Sequence, residues 1–317
     1  MQYECINLIT IVFESYWTIM RKELLNLISN SILYKYDLPN AEIGIDKSVF
    51  STENDKCFSS VSNESLAEII YNSIIEYSFN EFDIKGKDYN NLHAIALKTK
   101  LKYNEYATIT SKISYGFHGE TILFCMLYAK LGAKPVISRG YFYNPLESAE
   151  TKGYDSYHII DNNGQTELWF GEVKFRSGHT SGINSAIENI KKAISDNYLS
   201  NNFLAISNHK NNFNIAGSKI EEIINQWEAN PIVDIIEEIK RHNLKLVYPI
   251  LILYDKNKDG YDKSIENSIN HIKNHHFTKT FSLSIPFSIY FIWLPVDKVK
   301  DIKTKVIEWI ELKKHLI

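Results

Sequence analysis

Residues 153–175 read Gly153-Tyr-Asp155-Ser-Tyr157-His158-Ile-Ile160-Asp-Asn162-Asn163-Gly164-Gln165-Thr-Glu167-Leu168-Trp169-Phe170-Gly-Glu172-Val173-Lys174-Phe175. Asn-Gly is the preferred pair of a two-residue type I′ hairpin turn. A turn at Asn163-Gly164 sets the register by counting outward: Asn162 faces Gln165, Ile160 faces Glu167, Tyr157 faces Phe170 and Asp155 faces Glu172. Two carboxylates are then expected directly opposite, roughly 5 Å apart at Cβ, on one face. Like charges so placed cost stability unless a cation sits between them, and a divalent ion is the natural candidate. The strand period of two puts Lys174 on the same face as Glu172, with Leu168 and Phe170, while Trp169, Val173 and Phe175 face the other way. Gly153 falls opposite Lys174 and is expected to leave room for a substrate backbone.

Outward from the hairpin, Gly116–Lys130 is strongly apolar and predicts a helix closed by Gly132. A strand is expected over Pro135–Tyr143. Ile183, Ile187, Ile190 and Ile194 mark an amphipathic helix over Gly182–Tyr198, and another is expected over Ser218–Trp227. Pro231 suits a first helical position, with that helix running through His242. Leu244–Tyr254 and Ser284–Leu294 are apolar runs suited to the middle of a sheet, and Val296–Leu316 predicts a closing amphipathic helix. Helix, strand, hairpin, helix, strand is the order of an α/β sandwich around a mixed sheet. Before this centre, Glu14–Tyr34 has helical spacing, and Ser65-Leu-Ala-Glu68 reads as a capping box opening a helix through Tyr77. Phe82–Lys87 and Tyr89–Lys98 are expected as edge strands, or as a strand and a helix. Residues 1–101 are read as an N-terminal layer packed on a core of residues 102–317.

The chain has 317 residues, 44% of them apolar, enough for a sizeable core. Its net charge of −3 is less basic than a stand-alone nucleic-acid binder usually carries, so any phosphate-binding surface is expected as a local patch. Cys5, Cys57 and Cys125 are odd in number and widely spaced, which argues against a disulfide framework and a zinc site and for a reducing, cytoplasmic setting. The longest apolar runs are too short to span a membrane, and the N-terminus lacks the pattern of a signal peptide. No phosphate-binding P-loop is present, so ATP use is expected of a partner.

An acid–acid–lysine cluster with a bound divalent cation is what hydrolysis of a phosphodiester needs. The acid-x-lysine triplet alone is weak; the turn, the register and the lysine together give it weight. His118 is a candidate phosphate contact. His158 is expected to face away from the acids, into the core. His179, Arg176, Lys191 and Lys192 are candidate holders of a nucleic-acid backbone, or simply a solvated helix face. Asp255-Lys-Asn257-Lys-Asp259-Gly260 followed by Glu266 matches the EF-hand calcium-loop template, yet it follows a β-type run, so a polar turn leading into a helix over Ser264–His275 is expected instead.

Asp155, sixteen residues, then Glu172-Val-Lys174, between a leading and a trailing helix, resembles the PD-(D/E)XK nuclease superfamily. His118-Gly-Glu120, Lys152-Gly-Tyr-Asp155-Ser-Tyr-His158 and Leu168-Trp-Phe-Gly-Glu-Val-Lys-Phe175 resemble the nuclease-subunit family of the Hachiman anti-phage system, densely over residues 115–198 and diffusely elsewhere. Tyr154 stands where the superfamily's name-giving proline would be. The resemblance implies a restriction-endonuclease-like α/β (α+β) fold: a mixed sheet flanked by helices, with an added N-terminal layer and C-terminal helices. It also implies a Mg2+- or Mn2+-dependent deoxyribonuclease cutting DNA with little sequence preference, restrained and released by a helicase partner. Asp155 and Glu172 would be metal ligands, joined by the Val173 carbonyl. Lys174 would orient the attacking water. Glu120, on the leading helix, would be a further acid at the metal, or an acid that simply favours the helix N-terminus. A non-catalytic scaffold of the same fold and a ribonuclease using the same residues remain the alternatives.

Overall fold

The computed structural model describes residues 20–136, 143–144, 149–150, 153–162, 165–207, 219–230, 234–275 and 280–317. Seven strands form one mixed sheet: β1 (Ile32–Leu38), β2 (Asp55–Ser60), β3 (Lys134–Pro135), β4 (Ser156–Asn162), β5 (Gln165–Phe175), β6 (Leu244–Asp255) and β7 (Phe287–Val296). Their order is β1-β2-β7-β6-β5-β4-β3. The centre is parallel, with β6 between β5 and β7, and antiparallel strands flank it on both sides. The apolar runs of β6 and β7 are buried along nearly their whole length, because a parallel strand covered on both faces has no polar side to show.

Helices cover both faces. One face carries α5 (His179–Ala193), α6 (Asp196–Ser207) and α7 (Tyr261–His275). They pack on Leu168, Phe170, Ile250, Ile252 and Phe291. The other face carries α1 (Lys22–Ser31), α2 (Asn63–Asn72), α3 (Ile74–Ser78), α4 (Phe117–Ala129) and α8 (Val299–Glu311). Their core meets Val173, Phe175, Leu251, Leu253 and Ile292. Successive strand residues thus alternate between two cores, as the period of two requires. The described part of the first hundred residues joins this architecture directly: β2 pairs with β7, and α2 packs on the second face.

The hairpin has the expected register. Asn162 pairs with Gln165, Ile160 with Glu167, and Tyr157 with Phe170. Asn163-Gly164 lies outside the described residues, as do residues 137–142 of the strand expected over Pro135–Tyr143. Gly132 has φ +71°, the left-handed cap expected after α4.

Several element readings are corrected. Residues 82–98 form no strand; Glu81–Ile84, Tyr89–Ile95 and a π-helical turn over Ala96–Lys100 are helical, and Asp88 caps the second by accepting the Asn91 N–H. The capping box is Ser62 with Ser65, three residues upstream of the expected one, and the helix breaks at Ser73 before α3. Pro231 lies outside the described residues. The helix Ile235–Arg241 is opened by Asp234, whose carboxylate accepts the Ile236 and Glu237 N–H groups. The helix expected over Gly182–Tyr198 is two, α5 and α6, because Ile194 (ψ 65°) leaves the helical region.

Candidate active site

The site forms at the carboxyl end of β5, where the chain emerges between the two helical faces. Gly119 lets α4 lie close against this strand: a Cβ there would sit 3.1 Å from Val173 Cγ2 and 3.2 Å from Phe175 Cβ. The next residue, Glu120, therefore enters the cleft beside the strand. Its carboxylate accepts a hydrogen bond from the Tyr77 hydroxyl of α3.

Asp155 sits immediately before β4. Its N–H donates to the Gly171 carbonyl at 2.9 Å; the paired register ends at Ser156 with Gly171, so Asp155 lies beside the end of the ladder and not in a registered pair with Glu172. The carboxylates do not share one contact. Asp155 Oδ2 accepts the Val173 N–H at 2.8 Å. Glu172 is 6% exposed and turns toward α5. Its Oε1 pairs with Lys174 Nζ and accepts from Asn189 Nδ2 at 2.8 Å, and its Oε2 is 3.4 Å from the Tyr248 hydroxyl. Giving each anion its own donor relieves the like-charge cost that the register alone would impose. Tyr248, fully buried on β6, reports the proximity of both acids. Burial first, then the charges of Glu172 and Asp155, push its phenol well above the ordinary value.

Glu120, Asp155, Lys174, Arg176, Lys303 and Tyr115 are among the residues lining an open cleft of about 240 Å³. Glu172 stands behind it, on Lys174. Among the described residues no three His, Cys, Asp or Glu side chains gather closely enough to form a closed metal cage. Asp155 and Glu120 nonetheless present hard oxygen donors to one open cleft. That suits Mg2+, which keeps several waters and takes one or two carboxylates together with substrate phosphate.

Other candidates sort clearly. Gly153 leaves no room for substrate: a Cβ there would collide with the Tyr157 hydroxyl and Asn202 Oδ1, so close packing requires this glycine. His118 is fully buried, stacked on Phe117, with Nε2 on the Lys112 carbonyl at 3.1 Å, so it cannot reach a phosphate; burial lowers its pKa to about 3. His158 faces away from the acids, as parity predicts, and packs on Phe124. His179 packs beside Tyr254 and His271 on the α5 face. Lys191 and Lys192 are exposed on α5, the latter over the Tyr198 ring. The calcium-like segment is a polar turn between β6 and α7, with Asp255 Oδ1 accepting the Val299 N–H.

Tyr77, Asn189, Tyr248 and Lys303 escaped the sequence reading. The sequence marked none of them; Asn189 is placed by the packing of its helix. It lies seven residues, two helical turns, beyond Gly182, which packs against Lys174 Cβ.

The HamA family model matches residues 27–310, from within α1 to the last turn of α8. The chain belongs to the HamA family. The matched span takes in both helical faces and the whole sheet, well beyond residues 115–198, which carry the densest resemblance. HamA is a component of the Hachiman anti-phage defence system. No curated protein matches the chain. Among its described residues, this HamA-family chain has no helix long and apolar enough to cross a membrane.

Proposed function

We propose that this HamA-family chain is a PD-(D/E)XK-type nuclease that hydrolyses DNA phosphodiester bonds with Mg2+ or Mn2+ as the effector of its defence system. The supporting observation is one cleft at the end of β5 lined by Asp155, Glu120 and Lys174, with Glu172 bonded to that lysine from behind. Asp155 and Glu120 would hold the cation together with water and substrate oxygens. Glu172, bonded to Lys174 and Asn189 in this structure, would join them and the Val173 carbonyl only on releasing those partners. The cation would supply Lewis-acid polarisation of a phosphoryl oxygen. Lys174, steadied by Glu172, orients the attacking water and offsets negative charge building on the phosphate. Asn189 and Tyr248 hold the Glu172 carboxylate and so fix where the ammonium points.

A nuclease with little sequence preference would damage its own host, so it must be restrained until needed. A helicase-type partner that releases it on sensing aberrant DNA meets that need, and the net charge of −3 fits an enzyme that does not grip DNA alone. The test is plasmid cleavage with Mg2+, with and without the partner. Asp155→Ala and Lys174→Ala should lose activity on the order of 10²–10⁴-fold. If both cleave like wild type under activating conditions, the assignment fails. RNA offered in parallel decides the substrate.

The near-complete burial and full engagement of Glu172 favour a second reading, a nuclease fold kept as a scaffold for its partner. Mg2+ titration separates the two. A metal site gains thermal stability on binding, and Glu172→Gln should reduce the gain. A scaffold would melt at the same temperature with or without the ion.

A further inference from the structure

Lys303 projects from α8 into the same cleft, from a part of the sequence with no counterpart in the acid–lysine motif. It is 8% exposed. Its Nζ donates to the Phe175 carbonyl at 3.0 Å and lies 4.7 Å from the Phe175 ring centroid. An ammonium carries three donors, so this contact leaves capacity. No carboxylate lies within ion-pair range of Lys303 or Arg176 among the described residues, although Asp155 and Glu120 line the same cleft. The charged neighbour that acts on Lys303 is Arg176, another cation, and His118 behind it is buried and neutral. Burial, then Arg176, lowers the Lys303 pKa to about 8. A nearly buried lysine is ordinarily matched by an acid. Here two like charges share an open cleft, an arrangement that an incoming anion would relieve.

We propose that Lys303 and Arg176 form a phosphate subsite that seats a phosphodiester group of the nucleic-acid backbone beside the acidic residues. This deepens the nuclease reading and rests on it for the identity of the anion. Lys303 supplies an ammonium fixed by a backbone carbonyl and an aromatic face. Arg176, exposed at the rim, supplies a mobile planar fork suited to phosphate oxygens.

The test is fluorescence anisotropy of labelled DNA and RNA oligonucleotides with the full chain, without added divalent cation so that nothing is cleaved. Lys303→Met keeps the length of the stem and removes the charge. It should weaken binding about tenfold or more and lower the slope of log K against log salt by about 1. Lys303→Arg should restore most of the affinity, and Arg176→Gln, at an exposed position, should show the same direction of loss without disturbing the fold. Unchanged affinity and salt slope in Lys303→Met and Arg176→Gln would overturn the subsite, as would a loss confined to the melting temperature. The two readings fail separately. Binding that depends on Lys303 in a chain that never cleaves would sink hydrolysis alone. Cleavage and binding indifferent to Lys303 would sink the subsite alone.

Discussion

Glu120 owes its setting to Tyr77, which lies 43 residues earlier on a different helix. Removing that donor with Tyr77→Phe keeps the ring packed on Phe124 and takes one hydrogen bond from the carboxylate. Cleavage should fall by about tenfold, in line with the loss of one hydrogen bond to a charged group, while the melting temperature changes little. Equal rates in mutant and wild type would show that the Tyr77 hydrogen bond contributes nothing to the reaction. Buried histidines make a second prediction. His118 and His158 are held near pKa 3 and His93 near 4, in each case chiefly by burial. Unfolded histidine titrates near 6.5, so below that pH the unfolded chain binds protons that the fold does not, and stability is lost on acidification. Asp55 acts oppositely. Burial raises its pKa to about 6 against the lowering effect of the N–H groups donated by Phe291 and Ser48, and below that pH it offsets one histidine. Two histidines remain, each worth about 1.4 kcal/mol per pH unit at most. The melting temperature should therefore drop between pH 6.5 and 5, and His158→Leu should flatten that slope. A melting temperature that holds or rises on acidification would contradict the assignment.

At the scale of elements, the contact of α4 with β5 decides whether the acids meet. The helix can approach because position 119 has no side chain, and Val173 and Phe175 fill the space a Cβ would enter. Gly119→Val should destabilise the fold by about 1–3 kcal/mol through overpacking and withdraw Glu120 from the cleft. Thermal melting and cleavage together check this, and a variant that melts and cleaves normally would show the contact to be slack. The hairpin was legible because its register is local: a period of two fixes the pairs from Asn162 with Gln165 to Tyr157 with Phe170 and brings Asp155 to the end of the ladder beside Gly171. Over residues 82–98 the pattern left edge strands and a strand with a helix both open, because these apolar side chains suit either period; only the helix over Tyr89–Ile95 matches one of them. Leu92 and Ala96 are buried by packing against distant helices on the second face, and no local pattern shows that contact.

Across the whole molecule, Arg21 ties segments far apart in sequence. Its guanidinium pairs with Glu76 at 2.6 Å and donates to the Ile317 carbonyl at 2.7 Å and to the Asn72 carbonyl. Both side chains are largely buried, so Glu76→Ala strands a positive charge and should cost about 3 kcal/mol, read as a lower midpoint in urea unfolding. Because Glu76 precedes Tyr77, the same variant should also weaken cleavage. A stable and fully active Glu76→Ala would detach this network from the site.

The chain's own pattern determined the alternating faces of the hairpin, its register as far as Tyr157 with Phe170, and the apolar strands of the sheet centre, since each depends on neighbours along the backbone. Tertiary structure alone decided that the two carboxylates take separate donors, that Gly153 packs rather than opens, that His118 is sealed in, that Tyr77 bonds Glu120 and that Lys303 lines the cleft. Lys303 meets Phe175 across 128 residues. A contact of that span is set by which helix covers which face of the sheet, and no periodicity in the sequence encodes it.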